Sequence, residues 1–145
     1  MTSYVSADLR RSVESRAKHI CEYCLIHESD TFLGCQVDHV IAEKHGGLTS
    51  ADNLCYACTF CNRAKGTDIG SIAPSTGEFA RFYNPRTDHW DQHFSLVDIT
   101  IEPQTPIGEA TALILRFNQP ERLAERELLK AIGRYPPRDA IRHLT

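Results

Sequence analysis

The chain has 145 residues, of which 41% are hydrophobic and 24% are charged, and its formal net charge is −3. This length predicts one domain over 1–145, and the sequence has no apolar run long enough for a transmembrane helix. Met1–Arg11 has no signal-peptide core, so we expect a cytoplasmic location. The acidic balance counts against a large nucleic-acid surface but does not exclude a small basic site.

An amphipathic helix is predicted near the N-terminus, over 6–20. Its apolar residues run from Leu9 to Ile20 at spacings of four, four and three, which places them on one face. Ser6 is a suitable N-cap. The basic residues lie mostly off the apolar face, which favours a solvated surface over phosphate contact; they are Arg10, Arg11, Arg16 and Lys18.

The centre of the chain is predicted to form a strand, a loop, a second strand and a helix. The strands cover 36–41 and 54–57, and the polar loop between them contains Gly46-Gly47. The helix covers 59–65 and is ended by Gly66 as a C′ glycine.

Residues 67–93 carry repeated turn signals, so mostly irregular chain is predicted there. A strand or hairpin is predicted over 94–102. The irregular segment would be anchored by four aromatic side chains, namely Phe79, Phe82, Tyr83 and Trp90.

Two helices are predicted towards the C-terminus. The first covers 106–117, with Thr105 as N-cap and Pro106 at the first helical position. The second begins within 118–121 and ends at Gly133. Pro136-Pro137 predicts a loose tail. The second helix would face the core with Leu123, Leu128, Leu129 and Ile132.

Four of the six cysteines form two C-x-x-C pairs, Cys21/Cys24 and Cys58/Cys61, with 33 residues between the pairs. Each pair turns tightly enough to present both sulfurs to one ion, so the pattern predicts a tetrahedral four-cysteine zinc site. A redox pair is the alternative, but it would need one C-x-x-C in a βαβ pattern. Zinc binding would also supply folding free energy to a small domain.

The two remaining cysteines, Cys35 and Cys55, lie on or beside the predicted strands and could face each other. Neither belongs to a C-x-x-C pair. We therefore interpret both as buried thiols that pack as small apolar groups.

A second group of polar residues accompanies the cysteines: Asp38-His39, then Asn53 at 14 positions after His39, then Asn62 at 9 positions after Asn53. The whole stretch, CEYC…VDHVIAEKHGGLTSADNLCYACTFCNRAKGTD, resembles the HNH endonucleases, in the branch with two zinc-binding C-x-x-C knuckles. The resemblance covers 21–68. Its specificity lies in the combination of elements, since no single one is specific.

The resemblance implies an α+β fold with a small ββα-metal (HNH, His-Me finger) core over about 18–68. A four-cysteine zinc site, an N-terminal helix and a helical C-terminal extension over about 69–135 would complete it. The stretch beyond residue 68 looks like the extension of many bacterial HNH proteins, and the resemblance assigns no chemistry to it.

The resemblance also implies roles for four side chains. His39 would be the general base, and Asn53 would hydrogen-bond near it and fix its orientation. Asp38 and Asn62 would bind the catalytic divalent cation. Many members of the family carry histidine at the position of Asn62, although asparagine also occurs there.

These residue types suit phosphodiester hydrolysis. A divalent cation neutralises phosphate charge and stabilises the leaving oxygen, and histidine can accept the proton of the attacking water. Oxygen ligands favour a hard cation, so we expect Mg2+ or Mn2+ at the catalytic position and Zn2+ at the cysteines. Since adjacent strand residues point to opposite faces, Asp38 and His39 can share a site only where the strand ends or bulges.

Several further residues keep two interpretations. His45 precedes Gly46-Gly47 and suits either a metal or phosphate contact or a structural role. Arg63 and Lys65 are candidate nucleic-acid contacts, with plain solvated charge as the alternative. For Arg86 a buried ion pair is favoured over phosphate contact.

Three functions compete at this point: an active nuclease, a zinc-containing nucleic-acid-binding module that does not cut, and a nuclease held inactive by a partner. The complete set of candidate residues favours the first, because a pure binder has no need of a base beside a metal ligand. We expect DNA as the substrate, low sequence specificity and no membrane partner. A homodimer and a regulatory partner both stay open.

Overall fold

The structure is a computed structural model that describes residues 4–144. Residues 1–3 and Thr145 lie outside the described range. Residues 1–3 are the start of the segment in which no signal peptide is predicted. The helices are α1 (Ala7–Arg16), α2 (Thr59–Lys65), α3 (Trp90–His93), α4 (Pro106–Ile114) and α5 (Pro120–Ala131). The strands are β1 (Cys35–His39), β2 (Leu54–Cys58), β3 (Gly70–Ile72), β4 (Phe79–Arg81), β5 (Phe94–Val97) and β6 (Thr100–Pro103). The strands pair in sequence order as three antiparallel two-stranded sheets, and this mixture of helices and strands confirms the predicted α+β class.

Helix α1 begins as predicted but ends earlier. The Ser6 side chain accepts a hydrogen bond from the Leu9 amide at 3.2 Å, which is the expected N-cap. Lys18 and His19 have φ angles of +56° and +60°, so the chain leaves the helical path after Arg16 rather than after residue 20. The buried face of α1 packs on β2 in a small cluster formed by Val13, Ala17, Leu54 and Tyr56.

Arg16 is exposed, as expected for the basic residues of α1, but its guanidinium also has partners in the protein. Its guanidinium donates hydrogen bonds to the carbonyl oxygens of Ala51 at 2.9 Å and Leu54 at 2.7 Å. This side chain therefore ties the end of α1 to the beginning of β2.

The central element has the predicted order of strand, loop, strand and helix. In the β1–β2 ladder, Cys35 lies opposite Cys58 and His39 lies opposite Leu54. Cys58 is also the N-cap of α2, and Gly66, with a φ of +54°, follows the last residue of that helix. The geometry places α2 directly after β2, so the helix begins where the hairpin ends.

The expectation that Cys35 and Cys55 face each other is wrong. Asp38 is the register partner of Cys55, because the ladder is shifted by three residues from a Cys35–Cys55 pairing. Cys55 is fully buried, as interpreted, whereas Cys35 is partly exposed.

The prediction of irregular chain over 67–93 is wrong in part, because this segment contains the β3–β4 hairpin and the short helix α3. Each strand of the hairpin has three residues, too few for an alternating pattern to stand out. Of the four proposed aromatic anchors, Phe79 is exposed on β4, whereas the other three are buried: Phe82, Tyr83 and Trp90.

The β5–β6 hairpin and the start of α4 agree with the sequence predictions. Thr105 caps α4 by accepting a hydrogen bond from the Gly108 amide at 3.0 Å, and Pro106 is the first helical residue. The helix ends at Ile114 rather than at residue 117. Arg116, with a φ of +55°, turns the chain towards α5.

Helix α5 is where the prediction of inward residues fails most clearly. Leu128 and Ile132 are exposed, whereas Leu123 and Leu129 are partly buried. The most deeply buried side chains of the helix are instead Arg122 and Arg126. The predicted core face is thus rotated, because two arginines find acceptors inside the protein.

The C-terminal tail is ordered, contrary to the prediction from Pro136-Pro137. Arg138–His143 forms a 3₁₀ helix, and Tyr135 and Ala140 are buried. One cluster of buried residues includes Cys21 and Leu25 near the first C-x-x-C pair, Ala57 of β2, Phe94 and Phe117 of the extension, and Ala140 of the tail. None of the helices in residues 4–144 combines the length and apolar character that a membrane crossing requires.

Candidate metal centres and active site

The four cysteines of the C-x-x-C pairs meet in one buried cluster. Their sulfur atoms all lie within 4.8 Å of one another, and Cys24 Sγ is 3.7 Å from Cys58 Sγ. A tetrahedron with zinc–sulfur bonds of about 2.3 Å has edges of about 3.8 Å, whereas a disulfide brings sulfurs to about 2.05 Å. The cluster therefore fits a tetrahedral metal ion such as zinc, as the spacing predicts.

Each knuckle is built by a local turn. The Cys24 amide donates to Cys21 Sγ at 3.5 Å, and the Cys61 amide donates to Cys58 Sγ at 3.5 Å. Such amide hydrogen bonds favour the charged form of the accepting sulfur. The first knuckle lies in the turn after α1, and the second joins the end of β2 to the first turn of α2.

The close packing of the four thiols shifts their pKa values. Hydrogen bonds from Cys21, Cys58 and Cys61 lower the pKa of the Cys24 thiol well below its usual range. Burial raises the pKa of Cys21, and hydrogen bonding with the other sulfurs raises that of Cys58. Zinc binds cysteine sulfur as the thiolate, so a bound ion would take the place of the thiol protons.

Asp38 is held by a buried lysine from the facing helix. Lys65 Nζ lies 3.2 Å from Asp38 Oδ2 and donates to the His39 carbonyl oxygen at 2.9 Å. Lys65 is only 2% exposed. Burial raises the pKa of the Asp38 carboxyl, although Lys65 and His39 act in the opposite direction. A further cation beside this carboxyl would therefore favour its ionised form.

His39 is the last residue of β1, and its ring points towards the loop between the strands. Its Nε2 atom lies 2.8 Å from Thr49 Oγ1 and 3.7 Å from Glu43 Oε1. The ring is therefore fixed from the loop, while Asp38 is fixed from α2. The strand ends at this pair, which is one of the two conditions under which the adjacent side chains can serve one site.

Asn53 braces the loop rather than the His39 ring. Its Oδ1 accepts from the Ile41 amide at 2.9 Å, and its Nδ2 donates to the carbonyl oxygens of Ile41 at 2.9 Å and Leu48 at 2.8 Å. The contact with the His39 side chain is made by Thr49 instead. Asn53 thus acts on the backbone that follows His39.

Gly47 shows how tightly this loop is closed. A Cβ atom at Gly47 would lie 1.7 Å from the Ile41 carbonyl oxygen and 2.8 Å from Asn53 Nδ2. The Ile41 backbone and the Asn53 side chain therefore lie so close to Gly47 that only glycine fits there. His45 is part of the same loop, and its Nε2 faces the Thr67 carbonyl oxygen at 3.0 Å, which is a structural contact.

Asn62 lies on the face of α2 that meets β1. Its Nδ2 donates to Gln36 Oε1. Gln36 and Asp38 are two residues apart and share one face of β1, just as Asn62 and Lys65 are three apart on α2. The amide of Asn62 and the carboxyl of Asp38 thus occupy neighbouring positions along the β1–α2 contact, each with a partner from the opposite element.

The other face of α2 borders an open cleft of about 830 Å3. Phe60 and Arg63 line it from the helix, and Arg116 lines it from the α4–α5 connection, with Glu121 as the acidic member. Within residues 4–144, no ion pair joins either arginine to a carboxylate. Arg63 is exposed, whereas Lys65 is buried.

Arg86 forms the buried ion pair that the sequence favoured. Its guanidinium contacts the Glu22 carboxylate, and both side chains are largely buried. Glu22 also accepts a hydrogen bond from the Tyr56 amide at 2.9 Å. This pair connects the extension to the first knuckle and to β2.

Sequence reasoning missed three partners of the candidate residues: Thr49 at His39, Gln36 at Asn62, and the buried pairing of Lys65. Thr49 carries no pattern that would single it out in a polar loop. The sequence does contain a signal for the position of Lys65, because Lys65 follows Asn62 by three positions and so shares a helix face with it.

The central element and its four-cysteine cluster define a ββα segment of the metal-binding type. Residues 21–68, about a third of the chain, match the family model described as HNH endonuclease. This match confirms the resemblance over that segment and supports a nuclease-type function in general. No curated protein and no solved structure shows a significant match to the chain.

Proposed function

We propose that the protein is a metal-dependent HNH endonuclease that hydrolyses phosphodiester bonds of nucleic acid, with DNA as the expected substrate. The observation that carries the proposal is the end of β1. There, a largely buried histidine held by Thr49 adjoins a carboxylate held by Lys65, inside the segment that matches the family.

His39 is the general base in this proposal. If Nε2 donates to Thr49, the other ring nitrogen, Nδ1, carries the lone pair that accepts a proton from the attacking water. Glu43, 3.7 Å from Nε2, would then stabilise the protonated ring. Asn53 supports the base indirectly, because it fixes the loop that carries Thr49 and Glu43 close to the ring.

Asp38 and Asn62 would hold the catalytic cation, for which Mg2+ or Mn2+ suits the oxygen donors. Asn62 donates its amide hydrogen to Gln36, which leaves its Oδ1 as the ligand atom. When bound, the cation supplies charge neutralisation at the phosphate and at the leaving oxygen. Lys65 balances the charge of Asp38 and keeps the carboxylate in position.

Zinc at Cys21, Cys24, Cys58 and Cys61 has a structural role in this proposal. It joins the turn after α1 to the β2–α2 junction, and α2 carries Asn62 and Lys65. Because the core cluster includes residues from both the central element and the extension, we propose that the chain functions as a single domain.

The cleft beside α2 is the proposed nucleic-acid contact. Arg63 and Arg116 supply positive charge for phosphate, and Phe60 offers an exposed ring for a base. A local basic site of this size is compatible with an overall charge of −3. Lys65 is not proposed for this role, since it is buried against Asp38.

The test is cleavage of supercoiled plasmid, single-stranded DNA and RNA by the purified zinc-loaded protein with Mg2+ or Mn2+. Cleavage that requires the added cation and is lost in Asp38→Asn supports the proposal. A native protein that binds these substrates without cutting them points instead to a zinc-containing binding module. A protein that neither binds nor cuts until a second protein is added points to partner control.

A further inference from the structure

The four-cysteine cluster has a basic neighbour that lies outside the matched segment. Arg122, in the first turn of α5, donates from Nη2 to Cys61 Sγ at 3.2 Å, and the same atom lies 3.7 Å from Cys58 Sγ. This arginine is only 7% exposed. A long, charged side chain from the extension is therefore buried against the two sulfurs of the second knuckle.

Arg122 is held in place on its other sides. Its Nη1 donates to the Leu115 carbonyl oxygen at 2.7 Å. The guanidinium carbon lies 5.7 Å from the centre of the Phe60 ring and 5.9 Å from that of Phe117, which are cation–π distances. The guanidinium thus has partners on several sides before any metal is considered.

The charge of a zinc–thiolate centre explains why a cation belongs there. Four thiolates around Zn2+ leave two net negative charges in a buried place, and buried charge is unfavourable unless it is paired and hydrogen-bonded. Hydrogen bonds from groups beyond the ligands orient the ligands and tune the metal. Arg122 supplies both a positive charge and a hydrogen-bond donor aimed at sulfur.

The first knuckle is also braced by the extension. Trp90 Nε1 donates to the Tyr23 carbonyl oxygen at 2.9 Å, and the Tyr135 hydroxyl donates to the Cys24 carbonyl oxygen at 2.8 Å. Both knuckles are therefore contacted by residues that come after residue 68 in the chain. Among residues 69–144, which the structure describes, Arg122 is the one whose side chain reaches the sulfurs themselves.

We propose that Arg122 is a positioning residue of the zinc centre: it donates to Cys61, offsets the charge of the thiolates and slows the loss of the metal. The C-terminal extension thereby contributes a residue to the metal centre. This inference rests on zinc occupying the four-cysteine cluster, and it is independent of whether the protein cuts nucleic acid.

The test compares Arg122→Met with Arg126→Met in the full zinc-loaded chain. Arg126 is a matched control, because it lies one turn further along α5, is 2% exposed and donates to the Ile99 carbonyl oxygen at 2.7 Å rather than to a sulfur. We expect Arg122→Met to release zinc to excess chelator about 10- to 100-fold faster than the native protein. Arg126→Met should release zinc at close to the native rate.

Replacement of zinc by Co2+ provides a second readout that general destabilisation would not move. The sulfur-to-cobalt charge-transfer band reports on hydrogen bonds to the thiolates, so it should shift in Arg122→Met and not in Arg126→Met. If Arg122→Met does not fold, Arg122→Lys is compared with Arg126→Lys instead. Lysine keeps the positive charge but lacks the planar set of hydrogen-bond donors of arginine. Equal zinc release and equal spectra in the paired variants would overturn the proposal, and a native protein purified without zinc would remove its premise.

Discussion

The ammonium of Lys65 lies 3.2 Å from the carboxylate of Asp38, and the lysine is almost completely buried. The candidate metal ligand is therefore already paired with a cation of the protein. Removing one member of a buried pair typically costs about 3–5 kcal/mol. Lys65→Met should accordingly destabilise the metal-free protein, and thermal or denaturant unfolding measures the loss.

The pH dependence of that loss has a definite sign. Burial raises the pKa of Asp38, and removal of Lys65 should raise it further. An acid whose folded pKa is raised costs little stability below its unfolded pKa, and the cost develops as pH rises through the folded pKa. The difference between native and Lys65→Met stability should thus grow as pH rises above about 4, the ordinary pKa of an aspartate. A constant difference would show that Asp38 is not the group involved.

Mn2+ should stabilise Lys65→Met more than it stabilises the native protein. The reason is that the bound cation would take over the neutralisation of Asp38. The measurement is the increase in unfolding temperature on addition of Mn2+, with Asp38→Asn/Lys65→Met as the control that should not respond. Equal increases in the native and Lys65→Met proteins would argue against a cation at Asp38.

Gly47→Ala should disrupt the loop that supports His39. The added Cβ would overlap the Ile41 carbonyl oxygen at 1.7 Å, so the backbone must move. Gly77→Ala is the matched control, since Gly77 has a φ of +71° but open space around the added atom. The control should lose about 1 kcal/mol from left-handed strain alone, and Gly47→Ala should lose several-fold more together with activity. Similar unfolding curves for the two variants would refute this view of the loop.

Cys61→Ser should remove zinc and most of the stability of the protein, because zinc binding free energy is folding free energy in such a centre. Cys35→Ser is the control, since Cys35 is a partly exposed cysteine outside the four-cysteine cluster. Zinc content measured by mass spectrometry or atomic absorption should fall only in Cys61→Ser. Loss of zinc from both variants, or from neither, would contradict the assignment of the ligands.

Arg63→Ala should weaken nucleic-acid binding by removing one phosphate contact. The expected signature is a decrease of about 1 in the slope of log affinity against log salt concentration. Arg10→Ala on α1 is the control, because Arg10 is exposed but lies on an element outside the cleft. Fluorescence anisotropy over a salt series measures both slopes. If Arg10→Ala changes the slope and Arg63→Ala does not, the nucleic acid binds on a different face.

The central element was predictable because its signals are local. Each signal determines the conformation of only the few residues around it. These signals are the C-x-x-C pairs, the Gly46-Gly47 loop and Gly66 at the end of α2. The positions of α2 and of the two strands followed from these signals to within two residues. Each knuckle followed as well, since its turn geometry is encoded in its own spacing, and the preference of zinc for four ligands predicted that the two knuckles meet.

The remaining features depend on contacts between distant parts of the chain. Periodicity assigns the leucines of α5 to the core, yet Arg122 and Arg126 take the buried positions. Arg122 donates to a sulfur there, and Arg126 donates to a carbonyl oxygen. The support of His39 by Thr49 is of the same kind, since a loop threonine shows its role only once the loop is closed. The three-residue strands β3 and β4 are stabilised by pairing with each other and leave too short a pattern in the sequence.

The most direct test of the central claim is single-turnover cleavage of a labelled DNA duplex by native protein, His39→Ala and His89→Ala, at equal zinc content. His89 is an exposed histidine at the start of α3 and serves as the matched control. If His39 is the general base, its removal should slow cleavage by about 10²-fold or more, while His89→Ala cuts at the native rate. Equal rates for native protein and His39→Ala would contradict the account.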